Sequence, residues 1–146
     1  MSLVTITSHR LVKSEDLNHH GTLFAGRASE WIIESGFICV ASQLPPNNIV
    51  CYKVDGLNFF HPIRLGTVLR IDASIVYAGS TSLMVNVRVT STKDPNRVIC
   101  EAFMIFVHVN EDTQPTPHGL KVNPETEQEK ELCRRAKEIY NKSKGA

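Results

Sequence analysis

The chain lacks an excess of charge: 16 Lys and Arg against 15 Asp and Glu leave a net charge of +1 over 146 residues. That argues against a nucleic-acid binder, whose affinity comes from neutralising phosphates. Long apolar runs are missing too. The longest, Ala102 to Val107, is far below the roughly 20 residues a membrane-spanning helix needs. The N-terminal MSLVTITSHR also lacks the apolar core of a secretory signal. Cys39, Cys51, Cys100 and Cys133 form no CxxC pair, and three of them fall inside apolar segments. Small buried thiols in a reducing compartment are therefore expected, and a cytoplasmic location with them. His19 and His20 are adjacent, without an HxxxH, an HxH or a Cys/His cluster, so no metal is expected. Gly21 and Gly26 have GxxxxG spacing, but Arg27 stands where a nucleotide-binding loop needs Lys and then Ser or Thr. No serine lies in a GxSxG elbow and no cysteine has an evident histidine partner. No cofactor is called for.

What is present fits one domain, since 42% apolar and 21% charged residues are ordinary for a soluble globular protein. A chain of this length buries about two thirds of its unfolded surface. The stretch that organises the rest runs from Asp16 to Gln43. From Arg27 onward it reads as a helix, with Trp31, Ile32, Ile33, Phe37, Ile38 and Val40 over most of its circumference. A helix apolar nearly all round is usually buried. Glu34 sits in its middle, with Glu30 the only polar group one turn away. Two readings stay open for it. One is a structural ion pair or a wet helix edge. The other is a buried carboxylate pushed toward general-base chemistry. Asn18, His19, His20, Gly21 and Thr22 crowd a polar loop before the helix, and Gly26 lies near its start. Free N–H groups at a helix start, approached closely across glycine, suit an oxyanion and hence acyl chemistry.

The remaining pattern is mostly strand. Leu3 to Val12 reads as a short edge strand, and Pro45-Pro46 ends the helix. Ile49 to Phe60 is a strand whose apolar phase switches across Gly56, which points to a bulge. Leu69 to Tyr77 and Leu83 to Val89 alternate apolar and polar, separated by Ala78-Gly79-Ser80. Lys93 to Asn96 reads as a turn, and Val98 to Val109 as a central strand covered on both faces. One curved antiparallel sheet wrapped around the Glu34 helix follows. Residues 1–124 make up this domain. In the tail, residues 125–146, Asn123 and Pro124 are expected to start a solvated helix with a thin apolar stripe of Leu132, Ala136 and Ile139. Early acids and late bases, Lys144 among them, suit its dipole.

Four segments in order carry a resemblance: Asp16-x-Asn18-x-x-Gly21-x-x-x-Ala25-Gly26; Trp31-Ile32-Ile33-Glu34-Ser35-Gly36; Asn58-Phe59-Phe60-His61-Pro62-Ile63-x-x-Gly66; and Val76-Tyr77-Ala78-Gly79-Ser80-Thr81-Ser82. Together, from about Leu11 to Val109, they resemble the hotdog-fold acyl-CoA thioesterases. The resemblance implies an α+β hotdog fold and hydrolysis of acyl-CoA, with coenzyme A as part of the substrate. It implies a homodimer, or a trimer of dimers, with active sites at the dimer interface. It places Glu34, with Asn18 and Thr22, as the catalytic residues, and His20, Gly21 and Gly26 around the thioester oxygen. Asn58, His61, Arg64, Gly79, Ser80, Thr81 and Ser82 would contact coenzyme A. The chain departs from the family in carrying Glu where Asp is usual and Ala25-Gly26 where many relatives have Gly-Gly. Two rivals share the fold: a dehydratase or hydratase using His20 and Glu34, and an acyl-CoA binder without catalysis.

Overall fold

The computed structural model describes residues 3–145, and the side chains of 3–143. The outermost residues of the expected domain bounds and the Lys144 side chain lie outside these. Five strands follow one another around one early helix: β1 (Thr5–Leu11), α1 (Ala25–Ala41), β2 (Ile49–Phe59), β3 (Val68–Ala78), β4 (Ser82–Ser91) and β5 (Asp94–His108). A second helix, α2 (Glu127–Gly145), closes the chain. The strands form one antiparallel sheet in the order β1-β3-β4-β5-β2. This is the hotdog arrangement expected, with β1 at one edge and β5 next to centre.

The alternation in β3 and β4 decides which face meets α1. Leu69, Ile71 and Ala73 of β3 and Val85, Val87 and Val89 of β4 are buried in one core with Ala28, Trp31, Ile32, Cys39 and Val40 of α1. Gly36 packs against Met104 with no room for a Cβ, so the helix lies close on β5. β2 is the other edge, and its residues pair with β5 in two register shifts, one of them spanning Gly56, whose φ is 68°. The bulge read from the phase switch is there.

Four expectations need correction. α1 is not buried all round: Ala25, Glu30, Glu34 and Ile38 are exposed, because the sheet covers one side of it only. Cys51 is exposed on the open edge strand, whereas Cys39 and Cys100 are buried and burial pushes both thiols up to about 11. Asp94, Pro95 and Asn96 belong to β5, since Ser91 pairs with Asp94 and only Thr92 and Lys93 turn the chain. The cap of α2 is Thr126: its hydroxyl accepts from Glu129 N–H at 3.1 Å, and Glu129 accepts from Thr126 N–H at 3.1 Å. That reciprocal pair satisfies two helix-end donors at once, which Asn123, further out, does not do.

The apolar stripe expected on α2 docks this otherwise solvated helix on the sheet. Ala136 is fully buried, and Leu132, Cys133, Ile139 and Tyr140 pack with it on Val76, Met84, Phe103 and Ile105, the outer face of the sheet. Beside this contact Glu101 is held by Arg88 at 2.7 Å, Arg135 at 2.9 Å and Asn86 at 3.1 Å. Burial alone would push its carboxyl up; the hydrogen bonds from Arg135, Arg88 and Asn86 outweigh that and hold it below its usual 4.5. A group with a depressed folded value contributes stability above its unfolded value and loses it as pH falls through the folded one. Thermal unfolding followed below pH 4.5 should therefore show a declining melting temperature. The slope should be shallower in Glu101→Gln, which cannot titrate there.

Candidate active site

The loop before α1 is built by two side chains. Asp16, almost wholly buried, accepts from Lys13 N–H at 2.9 Å and from Arg27 Nη1 at 2.7 Å, while its carbonyl accepts from Phe24 N–H at 2.9 Å. It thereby clamps the entry of the loop to the first turn of the helix. Asn18 shapes the interior: its Oδ1 accepts from His20 N–H at 2.8 Å and Thr22 N–H at 3.2 Å, and its Nδ2 donates to Thr22 Oγ1 at 3.1 Å. Such side-chain-to-backbone bonds let Asn hold a tight turn. Gly21 supplies the positive φ of 78° that the turn requires. His20 is exposed, its ring 3.9 Å from that of His19.

The loop is also tied to the β2–β3 connection. Leu23 N–H donates to Ile63 O at 2.8 Å, and Thr22 bridges to Arg64. No side chain caps the start of α1; Arg27 and Ala28 N–H both donate to Phe24 O at 3.0 Å, which leaves the N–H groups of Ala25 and Gly26 to solvent or a ligand. The Phe24 ring lies over Gly26 so closely that a Cβ there would strike it.

Glu34 stands elsewhere. It lies eight residues beyond Gly26, about 12 Å along the axis at the helical rise. A side chain cannot span that gap to an oxygen held at the start of its own helix. Its surroundings are also not the buried apolar ones expected: 59% of the side chain is exposed, and Oε1 accepts from Arg10 Nη2 at 2.9 Å. The ion-pair reading of this residue describes the single chain.

The residues expected to contact coenzyme A fall into two groups. Asn58, His61 and Arg64 lie at the β2–β3 end, where His61, Arg64 and Arg97 line a cleft of about 260 Å³. Gly79, Ser80, Thr81 and Ser82 lie past the other end of β3, whose 11 residues span about 35 Å. Their turn is closed by Gly79 N–H to Ser82 O at 2.9 Å, and Ser82 Oγ is hydrogen-bonded to Tyr140 of α2 at 2.8 Å. A single chain therefore brings Asn18 and Thr22 together and sets Arg64 beside them, but leaves Glu34 and Gly79–Ser82 apart from that cluster.

The family model described as the thioesterase superfamily matches residues 20–98, from the polar loop into β5. This chain belongs to the thioesterase superfamily. Among the relatives of this superfamily member, the acyl-CoA thioester hydrolase YciA of Salmonella typhimurium is 28% identical over 116 residues, 73% of this chain and 84% of that protein. An acyl-CoA hydrolase from Staphylococcus aureus, solved with butyryl coenzyme A and coenzyme A, superposes with a TM-score of 0.88 at 27% identity, covering 97% of this chain and 85% of that one. A hexameric acyl-CoA thioesterase gives a TM-score of 0.87 at 29% identity, covering 97% and 92%.

Two residues of this thioesterase-superfamily member escaped the sequence reading. In the sequence Asp16 stands only as part of a motif; its role comes from Arg27 across the loop. Arg10 had no signal linking it to Glu34, 24 positions away on another element. Among the described residues, no group of three or more His, Cys, Asp or Glu could hold a metal ion. Asp16→Ala should cost about 1–3 kcal/mol by removing hydrogen bonds to a buried charged acceptor, read from the urea midpoint.

Proposed function

We propose that this chain hydrolyses acyl-CoA thioesters to a carboxylic acid and coenzyme A, in an assembly of at least two copies. The observation that carries this is the separation of Glu34 from the N–H donors at the start of its own helix. A second copy laid against the open face of α1 supplies what is missing: its loop, from His20 to Gly26, comes onto Glu34 of the first. Support for such a face comes from Phe24, just before α1, and Ile38, on it, both large, apolar and exposed, and from the free edge of β2, where Tyr52 is 71% exposed. An uncovered edge strand is a ready template for pairing with another copy. A dimer formed through β2, or three such dimers, satisfies both surfaces.

In the proposed reaction the thioester oxygen is held by backbone N–H groups of the loop, which stabilise the negative charge as it develops. Glu34 takes a proton from water as its oxygen bonds to the carbonyl carbon. Alternatively, its own oxygen attacks and water hydrolyses the resulting anhydride. In both routes the carbon–sulfur bond breaks, and the coenzyme A thiolate leaves and is protonated. Asn18 and Thr22 hold the loop in shape, Arg64 offers positive charge to the coenzyme A phosphates, and His61 lies beside it in the same cleft. The family match and the names of its relatives favour this substrate class. The length of the acyl chain is set by the depth of the apolar space between copies.

The test is thiol release from short, medium and long acyl-CoA. The parent should turn over at least one of them. Glu34→Gln should lower kcat by about 10²–10⁴-fold, the usual contribution of a proton-transferring side chain, with an unchanged circular dichroism spectrum. A variant as fast as the parent would overturn the assignment. The shared site adds a second expectation. Co-expressing Glu34→Gln with Asn18→Ala should give mixed assemblies that recover part of the activity neither variant has alone, as one of the two sites is then built from intact halves.

A further inference from the structure

The Arg10–Glu34 pair is monodentate. Arg10 Nη2 donates to Glu34 Oε1 at 2.9 Å, and among the described residues Oε2 has no hydrogen bond. The guanidinium is fixed from a second direction, because its carbon lies 5.3 Å from the centre of the Trp31 ring. Trp31 is itself buried in the core, one turn before Glu34. The backbone of Arg10 is fixed as well, since it pairs with Leu69 in the sheet. A long, flexible side chain is thus held by strand, ring and carboxylate together. Arg is suited to this by its planar fork and its preference for aromatic faces.

The charge around Glu34 comes from few sources. On its own helix Glu30 lies one turn earlier, exposed and 4.0 Å from Arg27. From β1 there is Arg10. On β3 and β4, Arg70, Asp72 and Arg88 line the opposite face of the sheet with α2, and on β5 Glu101 is bonded to Arg135 of α2. On β2, Lys53 reaches Ser143 of α2 on that same far side. Arg10 is therefore the cation that meets Glu34 on the α1 side, among the described residues.

Resting on the reading above, we propose that Arg10 is a positioning residue for Glu34: it grips Oε1 and leaves Oε2 turned to the reacting carbonyl or its water. The pair orients the carboxylate within its plane, and the Trp31 ring keeps the pair from swinging out. The reaction needs this precision, since a misplacement of about 1 Å can cost on the order of 10²-fold in rate.

The test compares Arg10→Met, which keeps an apolar stem over Trp31, and Arg10→Lys in the intact assembly, with circular dichroism, melting temperature and assembly size as folding controls. Arg10→Met should lower kcat by about 10–100-fold on acyl-CoA with KM within about twofold, because only the geometry of the reacting group is lost. Arg10→Lys should recover part of the loss by keeping the charge without the fork. In a Glu34→Gln background Arg10→Met should cost nothing further, as two residues acting as one unit are non-additive. Equal kcat in Arg10→Met and the parent, or an equal further loss in the Glu34→Gln background, overturns the proposal. An active Glu34→Gln would instead overturn the role of Glu34, so the two failures are told apart.

Discussion

Burying one face of a single helix against a five-stranded sheet is the constraint from which the other features follow. The sheet's inner face is apolar along β3, β4 and β5, and α1 is the helix the sequence supplies to cover it. Each fully buried Leu, Ile or Val side chain there is worth about 1.5–3 kcal/mol, so the orientation of α1 is strongly fixed. Gly36 removes the side chain that would hold the helix off Met104. Once Trp31, Ile32, Gly36 and Val40 face inward, the helical period leaves no choice about Glu30, Glu34 and Ile38: they face out. Ile38 on that face and Phe24 just before the helix are large apolar side chains left exposed near Glu34's helix, which is not the pattern of a solvated surface.

The outer face of the sheet answers where a second copy can go. α2 lies across it, with Ala136 at the centre of the contact and Glu101 gripped by two arginines at its margin. That face is already covered. What remains open, among the described residues, are the two sheet edges, β1 and β2, the latter with Val50, Tyr52 and Phe59 exposed, and the free side of α1, where Glu34 meets Arg10 of β1. The two ends of β3, about 35 Å apart, carry the two halves of the expected coenzyme A contacts. A substrate that touches both halves has to lie across more than one chain. In the proposed function, association of copies is what brings the two halves to one substrate.

How much of this was legible in the sequence depended on the range of the interaction. The alternation in Leu69–Tyr77 and Leu83–Val89 gave both strands, and the phase switch at Gly56 gave the bulge, because each is a local matter of which side a residue faces. The start of α2 was read at Asn123 because Pro124 is a strong local signal; the Thr126–Glu129 capping box, equally local, settles it otherwise. The apolar residues around α1 go nearly round its axis and read as a buried helix, which leaves both a wet edge and a buried site open for Glu34. The sequence cannot distinguish a residue covered by its own sheet, such as Ile32, from one awaiting another chain, such as Ile38. The loop around Asn18 was recognised as polar and glycine-bearing. The clamp of Asp16 on Arg27 and the reach of Arg10 to Glu34 were not, since each joins elements whose approach only the packed fold decides.

The pairing of Arg10 with Glu34 also resolves a difficulty of the open face. In a single chain the pair is more than 40% exposed on both sides, and an ion pair so placed contributes little to stability. In the proposed assembly, under a second copy, the balance changes. A lone carboxylate buried there would cost several kcal/mol in lost hydration, enough to oppose association or to neutralise the acid. With Arg10 already bonded to it and seated on Trp31, the carboxylate enters the covered state with its charge matched and one oxygen still available. In the proposed assembly, an exposed pair of small value in the single chain is thus what would match the charge of Glu34 beneath a second copy, where a bound thioester would meet it away from bulk water.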